Sequence, residues 1–164
     1  MEVANISLGI DVSKAKLDME LRVNGKAKSK VLPNTPDGHQ ALLEWIKKSK
    51  VNVDELHICM EATGVYHEAV AMALHAAGFN VSVVNPACIN GFGHSENIRN
   101  KNDEIDAGLI ARYCLAMRPE RWAPAPLEQR QLRAWTLRVQ ALKDIRQQES
   151  NRLEAHEVAG MQNV

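Results

Sequence analysis

The sequence predicts an α/β fold, in which a mixed sheet of five strands is flanked by helices and followed by a long C-terminal helix. Three segments with the alternating pattern of strands, at 6–13, 17–23 and 26–32, open the chain. Two short apolar segments, at 56–61 and 79–85, each follow a stretch with helical spacing. Because helical crossovers join parallel strands, we expect these two strands to lie parallel in the same sheet.

The three opening segments predict an antiparallel meander. In the first, apolar residues at even positions alternate with Ser7, Gly9 and Asp11, so one face of the strand is apolar and the other is small and polar. The second segment ends at Asn24-Gly25, the dipeptide that most favours a two-residue type I′ hairpin turn. The third, 26–32, is more polar than the others, which is typical of an edge strand.

Helical patterns occupy much of the remaining chain. Residues 35–48 predict a helix with Thr35 as cap and Pro36 in the first position, and residues 65–77 predict one that ends before Gly78. We expect a third helix to begin near Asn102 or Asp103 and to continue through 113, after a stretch around 91–94 that is partly helical or a loop. From 127 to 158 apolar residues recur at 3–4 spacing, which fits either a coiled coil or a helix docked on its own domain.

The length of 164 residues suits one domain with an appendage. We assign residues 1–120 to an α/β domain, 121–126 to a linker and 127–164 to a helical segment, and we expect the chain to be a piece of a larger protein. The net charge is zero, although 118–152 is locally basic, with eight Lys or Arg against four acids. The sequence has neither a signal-peptide pattern nor an apolar run long enough to span a membrane, so we expect a cytoplasmic protein.

Carboxylates are the candidate functional groups. Asp11 lies inside an apolar strand, where a charge is costly unless it is paired or bound to a cation, and Glu61 ends a buried run. If their strands are neighbours, the two acids meet at the carboxyl edge of the sheet. Asp103 and Asp106, three residues apart, share one helical face that could cross this edge. Helix capping is the alternative explanation for both aspartates.

Four converging carboxylates would repel one another, and a divalent cation would relieve that repulsion. Oxygen ligands select Mg²⁺ or Mn²⁺ over zinc, and two such ions are the usual apparatus for attack at a phosphodiester. The spacing alone is a weak signal, and its combination with the strand ends and the helix face makes it stronger. The sequence therefore predicts a metal site for one or two such ions.

Four motifs strengthen this hypothesis: GIDVSK (9–14), MEATG (60–64), VVNP (83–86) and KNDEIDA (101–107). In combination they resemble the N-terminal domain of the DEDD transposases, insertion-sequence recombinases related to the Piv DNA invertase. The resemblance covers essentially the whole chain and implies a RuvC-like, RNase H-type fold. It implies that the four acids that bind divalent metal are Asp11, Glu61, Asp103 and Asp106.

The resemblance also implies a function and partners. Members of that family carry out DNA transposition or site-specific recombination, with a structured guide RNA directing target choice in some of them. They continue into a second domain whose serine joins the DNA covalently, and this chain stops before it. We therefore expect a bacterial cytosolic or nucleoid protein that binds DNA and self-associates through the 127–158 helix.

Basic residues beside the acids are candidates for nucleic-acid contact. Lys14 follows the strand that carries Asp11, and Arg99 and Lys101 precede the acidic segment, so all three could hold a phosphate backbone near the metal ions. Ordinary surface positions explain them equally well. The alternative function is a non-catalytic nucleic-acid-binding or dimerisation module. A sugar-kinase phosphate loop at GIDVSKAK is disfavoured, because 12–14 lacks the glycine that such loops need.

Overall fold

The computed structural model describes residues 5–62, 64–95 and 106–160. Within these ranges the chain forms five strands and five helices. In chain order they are β1 (Ile6–Val12), β2 (Lys16–Val23), β3 (Lys26–Pro33), α1 (Pro36–Lys48), β4 (His57–Glu61), α2 (Glu68–Ala76), β5 (Asn80–Val84), α3 (Pro86–Ser95), α4 (Ala107–Met117) and α5 (Leu127–Val158).

The strands form one mixed sheet in the order β3-β2-β1-β4-β5. The first three strands are the antiparallel meander, and β4 and β5 are parallel to β1 and to each other. The helical crossovers through α1 and α2 produce the parallel pairing. The predicted fold class, a mixed five-stranded sheet with flanking helices and a long C-terminal helix, is therefore confirmed.

Two turns set the register of the meander. Asn24 and Gly25 both adopt positive φ, at 47° and 83°, as the predicted type I′ hairpin requires. The sequence pattern did not reveal the other turn, between β1 and β2. There the Ser13 hydroxyl accepts a hydrogen bond from the Lys16 N–H at 3.1 Å and donates one to the Lys16 carbonyl at 2.9 Å. This turn places Asp11 opposite Asp18.

The caps of α1 and α2 follow the predictions closely. The Thr35 hydroxyl accepts a hydrogen bond from the Gly38 N–H at 3.2 Å, and Pro36 is the first residue of α1. Helix α2 begins at Glu68, three residues later than predicted, because 65–67 form a turn. It ends before Gly78, whose φ of +85° is the left-handed conformation that glycine adopts readily.

The prediction that the third helix already includes Asp106 was wrong. Helix α4 begins at Ala107, and the backbone of Asp106 is extended, with φ −116° and ψ 166°. An aspartate in this conformation can cap the helix with its own side chain, which is an alternative to continuing the helix through it. Asp106 is therefore the N-cap of α4 and does not lie on the face of that helix. Asp103, which was predicted to share a helical face with Asp106, lies outside the described residues.

The core has two parts, one on each side of the sheet. The larger part packs the apolar face of β1 and β2 against Leu42, Trp45 and Ile46 of α1 and against α2. The smaller part joins β4 and β5 to α3 and α4 around Ile89 and Ile110. The small, polar face of β1 is thus covered by a helix, which the alternation within that strand did not indicate.

The contact between β1 and α4 is close because Gly9 has no side chain. A Cβ on Gly9 would lie 2.1 Å from the Ala107 carbonyl oxygen and 2.4 Å from the Ala111 nitrogen. On the same face, the Ser7 hydroxyl donates a hydrogen bond of 2.9 Å to the Ala111 carbonyl. Because the two atoms closest to such a Cβ belong to the backbone of α4, any larger residue at position 9 would push the helix away from the sheet.

The chain divides into two compact units, Met1–Ala123 and Pro124–Val164. The end of the first unit is attached to strand β5. The Trp122 N–H donates to the Val81 carbonyl at 2.8 Å, and the buried Ser82 hydroxyl donates to the Glu120 carbonyl at 2.7 Å. The second unit contains α5, none of whose residues is buried. In the described ranges, no helix is long and apolar enough to cross a membrane.

Substitution of Gly9 by alanine is expected to destabilise the first unit by about 1–3 kcal/mol, since the added methyl group meets backbone atoms that cannot turn aside. Urea denaturation followed by circular dichroism measures the change. Gly91→Ala is the matched control, because a Cβ at this position of α3 meets nothing within 4 Å. Alanine is the better helix former, so Gly91→Ala is expected to leave stability unchanged or slightly higher. Equal stability of the two variants would contradict the close approach of α4.

Candidate metal site at the carboxyl edge of the sheet

Asp11 and Glu61 lie next to each other at the carboxyl ends of β1 and β4. These strands are parallel, and the last residues in register are Ile10 and Met60. Asp11 and Glu61 each follow by one residue, so their side chains lie on the same face of the sheet at the same edge. Both residues are half-buried. The condition under which the two acids were predicted to meet, that β1 and β4 are neighbours, is therefore fulfilled.

Helix α4 brings Asp106 towards the same edge. The helix is antiparallel to β1, since Ala107 lies over Gly9 whereas Ala111 is bonded to Ser7. Its N-terminus therefore lies towards Asp11. Asp106 Oδ1 accepts a hydrogen bond from the Leu109 N–H at 2.6 Å, which fixes this carboxylate at the start of the helix. Asp106 is exposed, and its second oxygen is available to another ligand.

Two further acids on β2 complete a group of carboxylates on this face. Asp18 is opposite Asp11 in the antiparallel register, and a Cβ added to Gly108 would lie 2.9 Å from Glu20 Oε2 and 3.2 Å from Asp106 Oδ1. We did not predict Asp18 and Glu20 as part of the site. Both alternate with apolar residues of β2, so the polar face of that strand was visible in the sequence. The register that places them beside Asp11 depends on the Ser13 turn.

Each β2 acid has a basic partner on its own strand. Lys16 Nζ lies 2.9 Å from Asp18 Oδ2, and Arg22 Nε lies 2.7 Å from Glu20 Oε1. The Lys16 pair is largely solvated and contributes little stability by itself. These two pairs offset part of the negative charge, and the charges of Asp11 and Asp106 remain.

The electrostatics of Asp11 show how the acids interact. Burial raises the pKa of the Asp11 carboxyl above its usual value, and the neighbouring Asp18 and Glu61 carboxylates raise the pKa further. Lys16 acts in the opposite direction, and Asp106 again raises the pKa. Three other acids, Asp18, Glu61 and Asp106, are thus close enough to influence the Asp11 carboxyl. Among the described residues, Asp11 therefore lies in a predominantly acidic environment.

Asn34 holds the turn beside Asp11 in place. Its side-chain amide donates to the Ser13 carbonyl at 2.9 Å and to the Tyr66 carbonyl at 3.1 Å. Its carbonyl oxygen, Oδ1, is 2.8 Å from His39 Nε2, so Nε2 carries the proton and donates to Asn34. Burial lowers the pKa of His39, which favours the neutral ring. No sequence motif pointed to Asn34, which only the folded chain brings to this edge.

Of the four remaining predicted site residues, Lys14 lies within the described part of the chain. Lys14 is exposed in the turn that follows β1, close along the chain to Asp11. Asp103, Arg99 and Lys101 lie outside the described residues. Among residues 5–62, 64–95 and 106–160, no group of three or more His, Cys, Asp or Glu side chains is arranged to hold a metal ion. The oxygen-only donors nevertheless suit a hard divalent cation chemically.

A separate cavity lies at the opposite edge of the sheet. It has a volume of about 420 Å³ and is lined by residues that include Asn5, His57, Asn80, Arg118 and Arg121. Burial, together with Arg121 and Arg118, lowers the pKa of His57. Asn5 and His57 are at the amino ends of β1 and β4, so this cavity is remote from the acidic edge.

The fold and the acidic edge are those expected of the transposase and recombinase class. The chain belongs to the DEDD transposase family of the IS110 type, whose model, described as "Transposase", matches residues 8–156. The predicted family is thus confirmed. Two curated relatives, the pilin gene-inverting proteins of Moraxella bovis and Moraxella lacunata, are each 34% identical over 117 residues. The match covers 71% of this chain and 36% of each relative, so the chain corresponds to about a third of their length.

Solved structures with a similar fold include RuvC of Thermus thermophilus. That structure has a TM-score of 0.44 and 16% identity, over 73% of this chain and 85% of RuvC. RuvC in complex with a Holliday junction substrate gives a TM-score of 0.42 and 14% identity, over 73% of this chain and 83% of that one. YeaZ from Pseudomonas aeruginosa has a TM-score of 0.37 and 17% identity, over 56% of this chain and 49% of YeaZ.

Asp11→Asn is expected to change how stability depends on pH when a chelator removes metal. Because the folded-state pKa of Asp11 is raised, folding favours its protonated form. Wild-type stability should therefore fall as pH rises from the usual carboxyl pKa through the raised one, and Asp11→Asn should lack this fall. Thermal melts between acid and neutral pH measure it. Glu44→Gln, an exposed position of α1 on the other face of the sheet, is the control. The idea fails if Asp11→Asn and wild type keep a constant difference in Tm across that range.

Proposed function

We propose that this chain is the catalytic N-terminal part of a transposase or recombinase, which in the full-length protein cleaves and transfers DNA strands with the help of divalent metal. The observation that carries the proposal is the gathering of Asp11, Glu61 and Asp106 at one edge, where burial, together with the charges of Asp18, Glu61 and Asp106, raises the pKa of Asp11. Membership of the DEDD transposase family supports it. An isolated fragment would have the acidic site without the rest of the recombinase.

The proposed metal ligands are Asp11, Glu61, Asp103 and Asp106, which would hold two Mg²⁺ or Mn²⁺ ions in the full site. Carboxylate oxygens suit both metals, and two such ions would stabilise the attacking and leaving oxygens of a phosphodiester. The chain's own part is to keep the oxygen donors at a fixed edge. Asp11 and Glu61 are fixed by paired strands, and Asp106 is fixed by its bond to the Leu109 N–H.

Nucleic acid is the proposed partner, and basic residues would contact its phosphates. Lys14, Arg99 and Lys101 precede or follow the acidic segments and could hold a DNA backbone across the metal ions. A structured guide RNA would direct target choice in the full-length protein, which would act in the bacterial cytosol or nucleoid. The proposed organisation is a catalytic domain at 1–120, a linker at 121–126 and a helical segment at 127–164, followed by a serine-bearing domain.

Helix α5 is proposed to join copies of the chain, through a coiled coil in the assembled protein. Large apolar side chains recur along it and are exposed: Leu132 at 67%, Trp135 at 69%, Val139 at 48% and Leu142 at 48%. Their 3–4 spacing is that of a coiled-coil seam. Exposed apolar residues on one stripe are typical of a surface that another helix covers.

A non-catalytic nucleic-acid-binding or dimerisation module is the second candidate function. Two observations favour it: Asp106 acts as a helix cap, and three acids do not form a ready metal site within the described residues. In that case the acids would have only a structural role, and metal would have no effect on the stability of the chain. The metal titration that follows separates the two candidates.

Mn²⁺ is expected to raise the Tm of the chain, and Asp11→Asn or Asp106→Asn is expected to abolish that rise. A ligand present at about a hundred times its Kd stabilises by about 2.7 kcal/mol, which corresponds to several degrees in a protein of this size. Differential scanning fluorimetry with and without Mn²⁺ measures the shift. Glu44→Gln, outside the edge, should keep the full rise. Similar Mn²⁺ shifts in wild type and both aspartate variants would support the non-catalytic module instead.

In the full-length protein, the same two aspartate substitutions should stop strand cleavage while leaving DNA affinity within about threefold of wild type, since carboxylates do not contribute to phosphate contacts. Cleavage of a labelled duplex and its binding in EDTA are measured side by side. An active Asp11→Asn protein would exclude a catalytic role for that residue.

Val139→Glu combined with Leu142→Glu is expected to dissociate any oligomer formed through α5, because two charges would be buried in an apolar seam. Sedimentation equilibrium should report the monomer mass for the variant and a multiple of it for wild type. Gln147→Glu combined with Gln148→Glu adds the same net charge to the same helix away from the 3–4 stripe, and should leave the mass unchanged. A monomeric wild-type chain at every concentration tested would rule out the proposed seam.

A further inference from the structure

A basic surface lies on the opposite face of the sheet from the acidic edge. Residues 26–50 contain six of the chain's ten lysines and only two acids, Asp37 and Glu44. We call these six the lysine surface: Lys26, Lys28, Lys30, Lys47, Lys48 and Lys50. Five of them are exposed and Lys30 is half-buried. Within the described part of the chain, none of the six forms an ion pair with an acidic side chain.

Strand register places three of these lysines in a row. Lys26, Lys28 and Lys30 alternate along β3 opposite Val23, Leu21 and Met19 of β2, so they share the face that packs on α1. Alternate residues of a strand are separated by about 7 Å. That separation is comparable with the distance between neighbouring phosphates along a nucleic-acid strand. Because β3 is the edge strand of the sheet, nothing in the sheet lies beyond this row.

Helix α1 contributes Lys47 and Lys48, and Lys50 follows its C-cap, Ser49. The helix runs back along β3: Gly38 lies against Pro33 near its start, and the Lys30 ammonium lies 5.9 Å from the Trp45 ring centre. The seven residues from Gly38 to Trp45 along the helix and the three from Pro33 back to Lys30 along the strand both span about 10 Å. The helix and the strand are therefore antiparallel neighbours over this length. The last residue of α1, Lys48, therefore lies level with Lys28.

The chemistry of this surface favours the backbone of duplex DNA. Lysine is a point charge that suits sequence-independent phosphate contact. Single-stranded nucleic acid is usually held by exposed aromatic rings, and Trp45, the ring within this surface, is 6% exposed beneath Lys30. Lysines on an edge strand can also serve only to prevent strand-to-strand aggregation. That role requires no lysines on α1, which carries Lys47 and Lys48.

We propose that the lysine surface is a second DNA-binding surface, which holds a duplex backbone on the face of the sheet remote from the acidic edge. The inference rests on the proposed function in taking DNA as the partner, and it needs neither the metal site nor catalysis. A recombinase must hold DNA beyond the bonds that it cleaves, and a surface separate from the acids avoids their repulsion of phosphate.

The test compares two variants with the same net charge. Lys28→Gln/Lys48→Gln removes two charges from the lysine surface. Ala27→Glu/Gln40→Glu lowers the net charge equally, with Ala27 on the other face of β3 opposite Arg22 and Gln40 two turns of α1 before Lys48. Binding of a short labelled duplex of random sequence is followed by fluorescence anisotropy across a salt series. EDTA is present throughout, so failure of the metal site cannot affect the result.

Each lost phosphate contact lowers the slope of log K against log salt by about 0.9. Lys28→Gln/Lys48→Gln is therefore expected to lower the slope by about 1.8 and to weaken low-salt binding several-fold, with Ala27→Glu/Gln40→Glu close to wild type. Equal behaviour of the two variants would overturn the proposal. Lys28→Glu/Lys48→Glu keeps both positions charged and reverses the sign of the charge. If DNA binding survives this reversal, protection against aggregation would be the only role left for these lysines. A larger lysine-dependent loss on duplex RNA than on DNA would overturn DNA as the occupant.

Discussion

The close approach of helix α4 to strand β1 at Gly9 is the contact on which the acidic edge depends. A Cβ there would lie within 2.4 Å of two backbone atoms of α4, so the helix can reach this distance only over glycine. That distance, together with the bond from Ser7 to the Ala111 carbonyl, directs the start of α4 towards Asp11. A larger residue at position 9 would separate Asp106 from the strand that carries Asp11.

Asp106 combines a structural and a chemical role in one side chain. One of its oxygens accepts the Leu109 N–H at 2.6 Å and so fixes the helix terminus. Its other oxygen remains available, and its charge raises the pKa of Asp11. A helix cap and a metal ligand are therefore compatible, because a carboxylate has two oxygens and several acceptor sites. The cap holds the carboxylate in place before any cation binds.

The zero net charge of the chain conceals two surfaces of opposite sign. Acids from β1, β2, β4 and the start of α4 gather on one face of the sheet, where Asp11 and Glu61 are neighbours. Six lysines from β3, from α1 and from the turn that follows α1 lie on the other. Metal at the first surface and phosphate at the second would each neutralise the local charge. Composition alone does not indicate this division, because the two groups cancel in the total.

The sequence by itself determined the elements and most of their order, because hydrophobic periodicity, the Asn24-Gly25 turn and the Thr35 cap are local signals. It also indicated that Asp11 and Glu61 would meet if β1 and β4 were neighbours, and the strand order of the folded sheet fulfils that condition. Only the tertiary structure decided that Asp18 and Glu20 join the acidic face, that Asn34 supports the turn, and that Asp106 caps α4. Those outcomes depend on strand register and on the distance between helix and sheet. Both are set by contacts between residues far apart along the chain, which no local pattern encodes.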